Sequence, residues 1–344
     1  MEIGVILVTG QSPFDKAGKV PKTSRSGNGF EGGSTADLSV HWDVLGRSVL
    51  SRTIERLKGS GLKLISVVQE SAKERENPKI EPWEKTLNDY VRNGVSQTLV
   101  ISARKYTELD VTNLISFHRQ TSSVVTNVAY EDGPLGITLI DSKCALSEGA
   151  SIASRLPAFA ACSSTYDYTG YVNHLSTVFE YRELIQRALA RRCLIRPVGR
   201  EVRPDVWIAD KTRVHSSARL IGPVYVGTNC RVHAGALLAA TSMERDSEID
   251  CGTLVESSSI LPHTYVGPGL HVSHAVLNGS RLLHLGRQVD IELGETGLLM
   301  HTANRSSHRF MENLEALVHS TFGRAPQQDA PTPPRTAAFL ERAQ

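Results

Sequence analysis

A chain of 344 residues with 38 basic and 36 acidic side chains carries almost no net field, so composition argues against a nucleic-acid or anionic-membrane partner. The five cysteines (Cys144, Cys162, Cys193, Cys230, Cys251) contain no CxxC pair, which speaks against a metal knuckle or disulfide framework and for a reduced, cytoplasmic setting. The apolar start Ile3–Val8 follows Glu2 and is too short for a secretory h-region, and no apolar run reaches membrane-spanning length; the expectation is a soluble intracellular protein of two or three domains.

Residues 1 to about 145 alternate short apolar runs with helical patterns. Ile3–Val8 reads as a buried strand. Val49, Leu50, Thr53, Ile54 and Leu57 share one helical face, with Gly61 where a C-terminal cap belongs. Leu64–Val68 is the next strand. Pro82 opens a helix carrying Trp83, Leu87, Tyr90 and Val91. Thr98–Ser102 is a strand, and Asp110 caps a helix with Leu114, Ile115 and Phe117. Ser123–Val128 and Ile137–Ile140 are further strands. Such alternation predicts an α/β, doubly wound parallel sheet. The Gly/Ser/Lys segment Lys16–Asp37 interrupts it as a surface loop, and Leu146–Gly170 reads as irregular. Thr177 and Glu180 form a capping box, starting a bridging helix with Tyr181, Leu184, Ile185, Ala188 and Leu189 on one face.

Beyond Pro197 and Pro204 the period changes. Ile208, Val214, Leu220, Val226, Val232 and Leu238 occupy every sixth position, and small residues (Thr212, Ala218, Cys230, Ala236) precede most of them by two. A period of six fits neither helix nor simple strand alternation; it predicts a left-handed parallel β-helix in which each hexapeptide forms one side of a triangular coil. The phase breaks at Ala240–Ser247, where the MERD segment is expected to loop outward, and returns through Ile249, Val255, Ile260, Val266 and Val272. Four or five coils would bury a continuous core. After Leu299, Phe310, Leu314, Leu317 and Val318 suggest a short helix, and the last twenty residues read as disordered. The expected division is a sheet domain over 1–175, a linker helix over 176–196, the β-helix over 197–295 and a C-terminal segment over 296–344.

Several residues invite a chemical reading. Gly27, Gly29 and Gly32 spell a dinucleotide fingerprint, but they neither follow a strand directly nor open a helix, so a plain loop explains them better. Lys16, Lys19, Lys22 and Arg25 could grip an anion from that loop. Arg104 and Lys105 fall at the C-terminal end of a strand, beside the crevice where open α/β sheets bind ligands. His215, His233, His263, His271, His274 and His284 crowd the hexapeptide region, as in hexapeptide acyltransferases that use a histidine base. They scatter over different phases, however, and no acid is placed to orient one. His271 and His274 make only a short pair for a metal.

The order of these parts, with VLGRSVLSRTIERLKGSGL (Val44–Leu62), ELDVTNLISFHR and GPLGITLID within Leu99–Asp141, and VESSSILPHTYVGPGLHVSHAVLNGSRLLHL (Val255–Leu285), resembles the sugar nucleotidyltransferases, or NDP-sugar pyrophosphorylases. Mannose-1-phosphate guanylyltransferases and glucose-1-phosphate thymidylyltransferase-like proteins belong to that group. The resemblance implies a GT-A/Rossmann-like nucleotidyltransferase sheet and a reaction of NTP with sugar 1-phosphate, run by a Gly-rich loop, a phosphate-binding lysine and an aspartate holding Mg²⁺. Here the loop reads LVTGQSPFDK with the single glycine Gly10, Ser39 stands at the lysine position and Arg104 at the aspartate position. A guanidinium repels Mg²⁺. The implied function is thus a catalytically degenerate relative with a binding, regulatory or scaffolding role in nucleotide-sugar metabolism. Thr9, Gly10, Gln11, Lys16, Lys19, Lys22 and Arg104 are candidates for holding a nucleotide sugar or sugar phosphate. No cofactor is expected, Mg²⁺ entering only if transfer activity survives in a rebuilt site, and the β-helix is expected to make a homo-oligomer.

Overall fold

In the computed structural model the described residues are 2–9, 42–69, 82–131, 133–142, 162–287, 289–293 and 297–303. The Lys16–Asp37 loop, the segment around Phe310–Val318 and the terminal tail lie outside them.

The N-terminal half is built on β1 (Ile3–Thr9), β2 (Asp43–Val44), β3 (Arg47–Ser48), α1 (Val49–Gly59), β4 (Leu64–Gln69), α2 (Pro82–Arg92), β5 (Gln97–Ser102), β6 (Tyr106–Thr107), α3 (Val111–Gln120), β7 (Val125–Tyr130), β8 (Gly133–Asp141), β9 (Ser163–Asp167) and β10 (Val172–Asn173). Six of these strands make one sheet in the order β4-β1-β5-β8-β7-β9. Strand β1 runs parallel to β4 and β5, and β7 runs parallel to β9.

The helices cover both faces. Val5 and Leu7 of β1, with Leu99 and Ile101 of β5, pack on Leu50 and Leu57 of α1 and on Val111 and Leu114 of α3. The alternate residues Ile6, Val8 and Val100 pack on Trp83, Leu87 and Tyr90 of α2. A two-residue strand period with both faces buried turns these strands into unbroken apolar runs. Helix starts are where the sequence puts them. Ser48 accepts from the Ser51 N–H, Asp110 accepts from the Thr112 N–H, and Pro82 stands first in α2.

Two expectations need correction. Strand β8, which contains Ile137–Ile140, is antiparallel to both β5 and β7. Only Glu131 and Asp132 separate β7 from β8, and a link that short closes a hairpin, not a crossover. Within Leu146–Gly170, expected to be irregular, Ser163–Asp167 is the edge strand β9; its alternating half-buried pattern, SSTYD, carries little apolar signal.

Helix α4 (Val178–Leu189) begins at the expected capping box, with Thr177 accepting from the Glu180 N–H and the Glu180 side chain accepting from the Thr177 N–H. From Val206 the chain visits three sheets in strict rotation. The first contains Val206–Ile208, Val224–Val226, Ser242–Met243, Ser259–Ile260 and Ala275–Asn278. The second contains Arg213–Val214, Arg231–Val232, Glu248–Ile249 and Thr264–Val266, and the third Arg219–Ile221, Leu237–Ala239, Leu254–Glu256 and His271–Ser273. Every strand of this series pairs in parallel with the next of its sheet. This arrangement of many short strands in parallel sheets is compatible with a β-helix.

Leu220, Val226, Val232, Leu238, Met243, Ile249, Val255, Ile260, Val266, Val272 and Leu277 fill one shared core. The apparent loss of phase at Ala240–Ser247 is therefore no outward loop: Met243 is in that core and Glu244 is fully buried. The first repeat is eighteen residues, Val206 opposite Val224, and the next seventeen, Val226 opposite Met243. The side between the third and first sheets has shortened by one residue, so the aliphatic ladder steps by five there and by six elsewhere. Ser247 and Thr253 bridge successive repeats, donating to the carbonyls of Leu261 and Gly267. Antiparallel strands extend the first sheet at both edges: Arg200–Arg203 pairs with its first strand, and Arg281–His284 and Val289–Glu292 follow its last.

Candidate functional site

Strands β1 and β5 end side by side, because Val8 is in register with Ser102 and the Ala103 N–H donates to the Val8 carbonyl. Thr9 therefore sits beside the turn that carries Arg104, at the C-terminal edge of the parallel strands, where α/β sheets place ligands. The Thr9 hydroxyl donates to the Val68 carbonyl at 3.2 Å. Arg104 is exposed. Lys105 is half-buried, and its Nζ donates to the Pro134 carbonyl at 3.3 Å. So Thr9 and Arg104 are brought together at one edge. Gly10, Gln11, Lys16, Lys19, Lys22 and Ser39 lie outside the described residues. A hollow of about 430 Å³, lined by Glu2, Ile3, Ser60, Leu64 and Arg119, opens at the opposite edge, away from these residues.

The hairpin that precedes α1 is tied to the coil. Asp43–Ser48 is a tight hairpin whose two turn residues, Leu45 and Gly46, have φ of 53° and 91°, the signature of a type I′ turn. Leucine at such a φ is strained, and it is held from outside. The two N–H groups of Leu45 and Gly46 donate to the two carboxylate oxygens of Glu244, each at 2.8 Å. Arg245 pairs with the buried Asp43 carboxylate. The Tyr181 hydroxyl of α4 donates to the Asp43 carbonyl at 2.7 Å, and Arg52 donates to the carbonyls of Val44 and Leu45 at 2.7 and 2.9 Å. Val44, Leu45, Tyr181, Leu184, Ile185, Tyr225, Leu261 and Val276 surround this polar knot with an apolar junction of sheet domain, α4 and coil.

Burial pushes the Glu244 carboxyl up to about 7, and the neighbouring Asp43 charge adds to the rise; the Gly46 and Leu45 N–H groups and Arg52 oppose it. Burial likewise raises the Tyr225 and Tyr181 hydroxyls and lowers the Arg52 guanidinium. Arg182, also buried, donates to the Ser259 hydroxyl at 3.0 Å and to the Ala240 carbonyl at 2.5 Å, and burial lowers it to about 10. Sequence reading missed this knot entirely. The one available signal was an acid–base pair, Glu244-Arg245, inside a run of coil residues whose phase had shortened.

The coil histidines are not without acids. His233 Nε2 lies 2.5 Å from Glu248 Oε1, which corrects the reading that no acid orients one. The partners sit fifteen positions apart and meet because successive repeats stack. His263 is 3.7 Å from Asp246 and His271 is 3.6 Å from Glu256, both at exposed positions. Among the described residues, His233, Asp250 and Cys251 form the one trio whose metal-capable atoms come within 4.8 Å of each other.

Fold and site together define a class: an α/β sheet domain anchored, through a buried hairpin, to a stack of short parallel strands. No protein-family model matches the chain, and no curated protein matches it. No helix among the described residues is long and apolar enough to cross a membrane.

Proposed function

We propose that this chain is a catalytically degenerate relative of the sugar nucleotidyltransferases: a nucleotidyltransferase-like sheet domain that holds a phosphate-bearing ligand without transferring it, joined to a left-handed parallel β-helix that serves as scaffold and oligomer interface. The observation that carries this reading is Arg104, exposed at the C-terminal end of β5 beside the end of β1. A cation there attracts phosphate directly, and it occupies the position at which the resemblance calls for a Mg²⁺-binding carboxylate.

The ligand class that fits is a sugar phosphate or nucleotide sugar. Incubating the full chain with the four NTPs, a panel of sugar 1-phosphates and Mg²⁺ is expected to release no pyrophosphate. Titration calorimetry with nucleotide sugars is expected to show binding that Arg104→Ala weakens. Steady pyrophosphate release overturns the degenerate reading; binding indifferent to Arg104 overturns the site. Light scattering checks the oligomer, which a monomer at all concentrations would refute.

A further inference from the structure

We propose that His233, Asp250 and Cys251 form a Zn²⁺ site on one corner of the coil, independent of the sheet-domain site. The three residues come from adjacent repeats. Val232 pairs with Ile249, so the residues that follow, His233 and Asp250-Cys251, leave the second sheet side by side. Their ligand atoms lie within 4.8 Å of one another, a spacing one ion could bridge with small side-chain adjustments. One imidazole nitrogen, one carboxylate oxygen and one thiolate sulfur make a borderline-soft donor set that suits Zn²⁺, whereas Mg²⁺ and Ca²⁺ take oxygen ligands.

The surroundings hold each ligand in place. Glu248 Oε1 lies 2.5 Å from His233 Nε2, the carboxylate–histidine pairing that fixes a metal-ligating imidazole; in that tautomer the ring lone pair is on Nδ1. The Asp250 carboxylate accepts from the Cys251 N–H and from the Tyr265 hydroxyl, each at 2.7 Å. The backbone beneath is pinned as well: His233 N–H donates to Ile249, Asp250 N–H to Val266 and Gly252 N–H to Ala234. Gly252, at φ 68°, then turns the chain away. Ligands on a hydrogen-bonded ladder keep their geometry better than ligands on a free loop. Cys251 is exposed, so an ion can enter from solvent, and three protein ligands leave a fourth position for water.

The test uses the full chain, stripped with a chelator and titrated with Zn²⁺ against a chromophoric competitor. One Zn²⁺ per chain is expected. His233→Ala, Asp250→Asn and Cys251→Ala should each weaken binding by well over roughly tenfold, and Glu248→Gln by about tenfold. His271→Ala, elsewhere on the coil, should leave it unchanged. Circular dichroism checks that each variant is folded. Co²⁺ substitution of the unmutated chain provides a readout that needs no variant to fold: a near-ultraviolet sulfur-to-metal charge-transfer band is expected. Absence of tight Zn²⁺ binding, absence of that band, or binding indifferent to all three ligand substitutions overturns the proposal.

Discussion

Replacing Glu244 tests how the coil holds the sheet domain. In Glu244→Ala the buried Leu45 N–H and the half-buried Gly46 N–H, each 2.8 Å from a carboxylate oxygen, lose their acceptors. An unsatisfied buried donor costs about 1–3 kcal/mol, so the pair, one of them half-buried, should cost about 3 kcal/mol. Glu244→Gln keeps one acceptor and should cost about half that. The carboxyl also makes stability depend on pH. Its folded value of about 7 stands above the ordinary 4.5, so between those values the native state carries a proton that the unfolded chain has released. Stability from this group is greatest below about 4.5, falls as pH rises, and is flat above about 7. At about 1.4 kcal/mol per tenfold change in proton affinity, the interval corresponds to about 3 kcal/mol. Urea unfolding at pH 5 and pH 8 reads this directly: the penalty of Glu244→Gln should be larger at pH 5, because glutamine has no proton to lose. Parallel pH profiles for the two proteins, or a Glu244→Ala penalty below about 1 kcal/mol, would refute the reasoning.

Three further substitutions probe the same physics. Gly46→Ala puts a side chain at φ 91° with its Cβ 2.3 Å from the Tyr225 hydroxyl and 2.8 Å from Val198 Cβ, and should lower stability by at least about 2 kcal/mol in denaturant melts. Met243→Ala should cost about 2–5 kcal/mol, since Met243 is a fully buried core residue; an outward loop there would leave it near neutral by the same assay. Thr177→Ala removes the capping box of α4 and should cost about 1 kcal/mol, with a matching fall in melting temperature.

Much of the architecture is local and could be read from the chain. The strand period of β1 and β5, the helical faces of α1 and α2, the Thr177-Glu180 cap and the six-residue aliphatic ladder each follow from a burial problem solved within a few residues. The direction of β8 turned on a two-residue link, and β9 carried too few apolar residues to stand out. At the candidate edge, Arg104 was placed by the end of its strand and Thr9 by the resemblance of its loop, and the structure brings those two together.

What periodicity determined was that residues 208–238 and 249–272 repeat and which of their aliphatic side chains turn inward, because every side of the stack faces the same interior; that Met243 turns inward between them only the structure decided. Tertiary structure alone decided that Glu244 closes on Leu45 and Gly46 across 199 and 198 positions, and that His233 stands beside Asp250 and Cys251. Those meetings depend on the summed register of every repeat between the partners. A one-residue change in one side, as at Ala240–Met243, shifts all of them while leaving each local pattern intact.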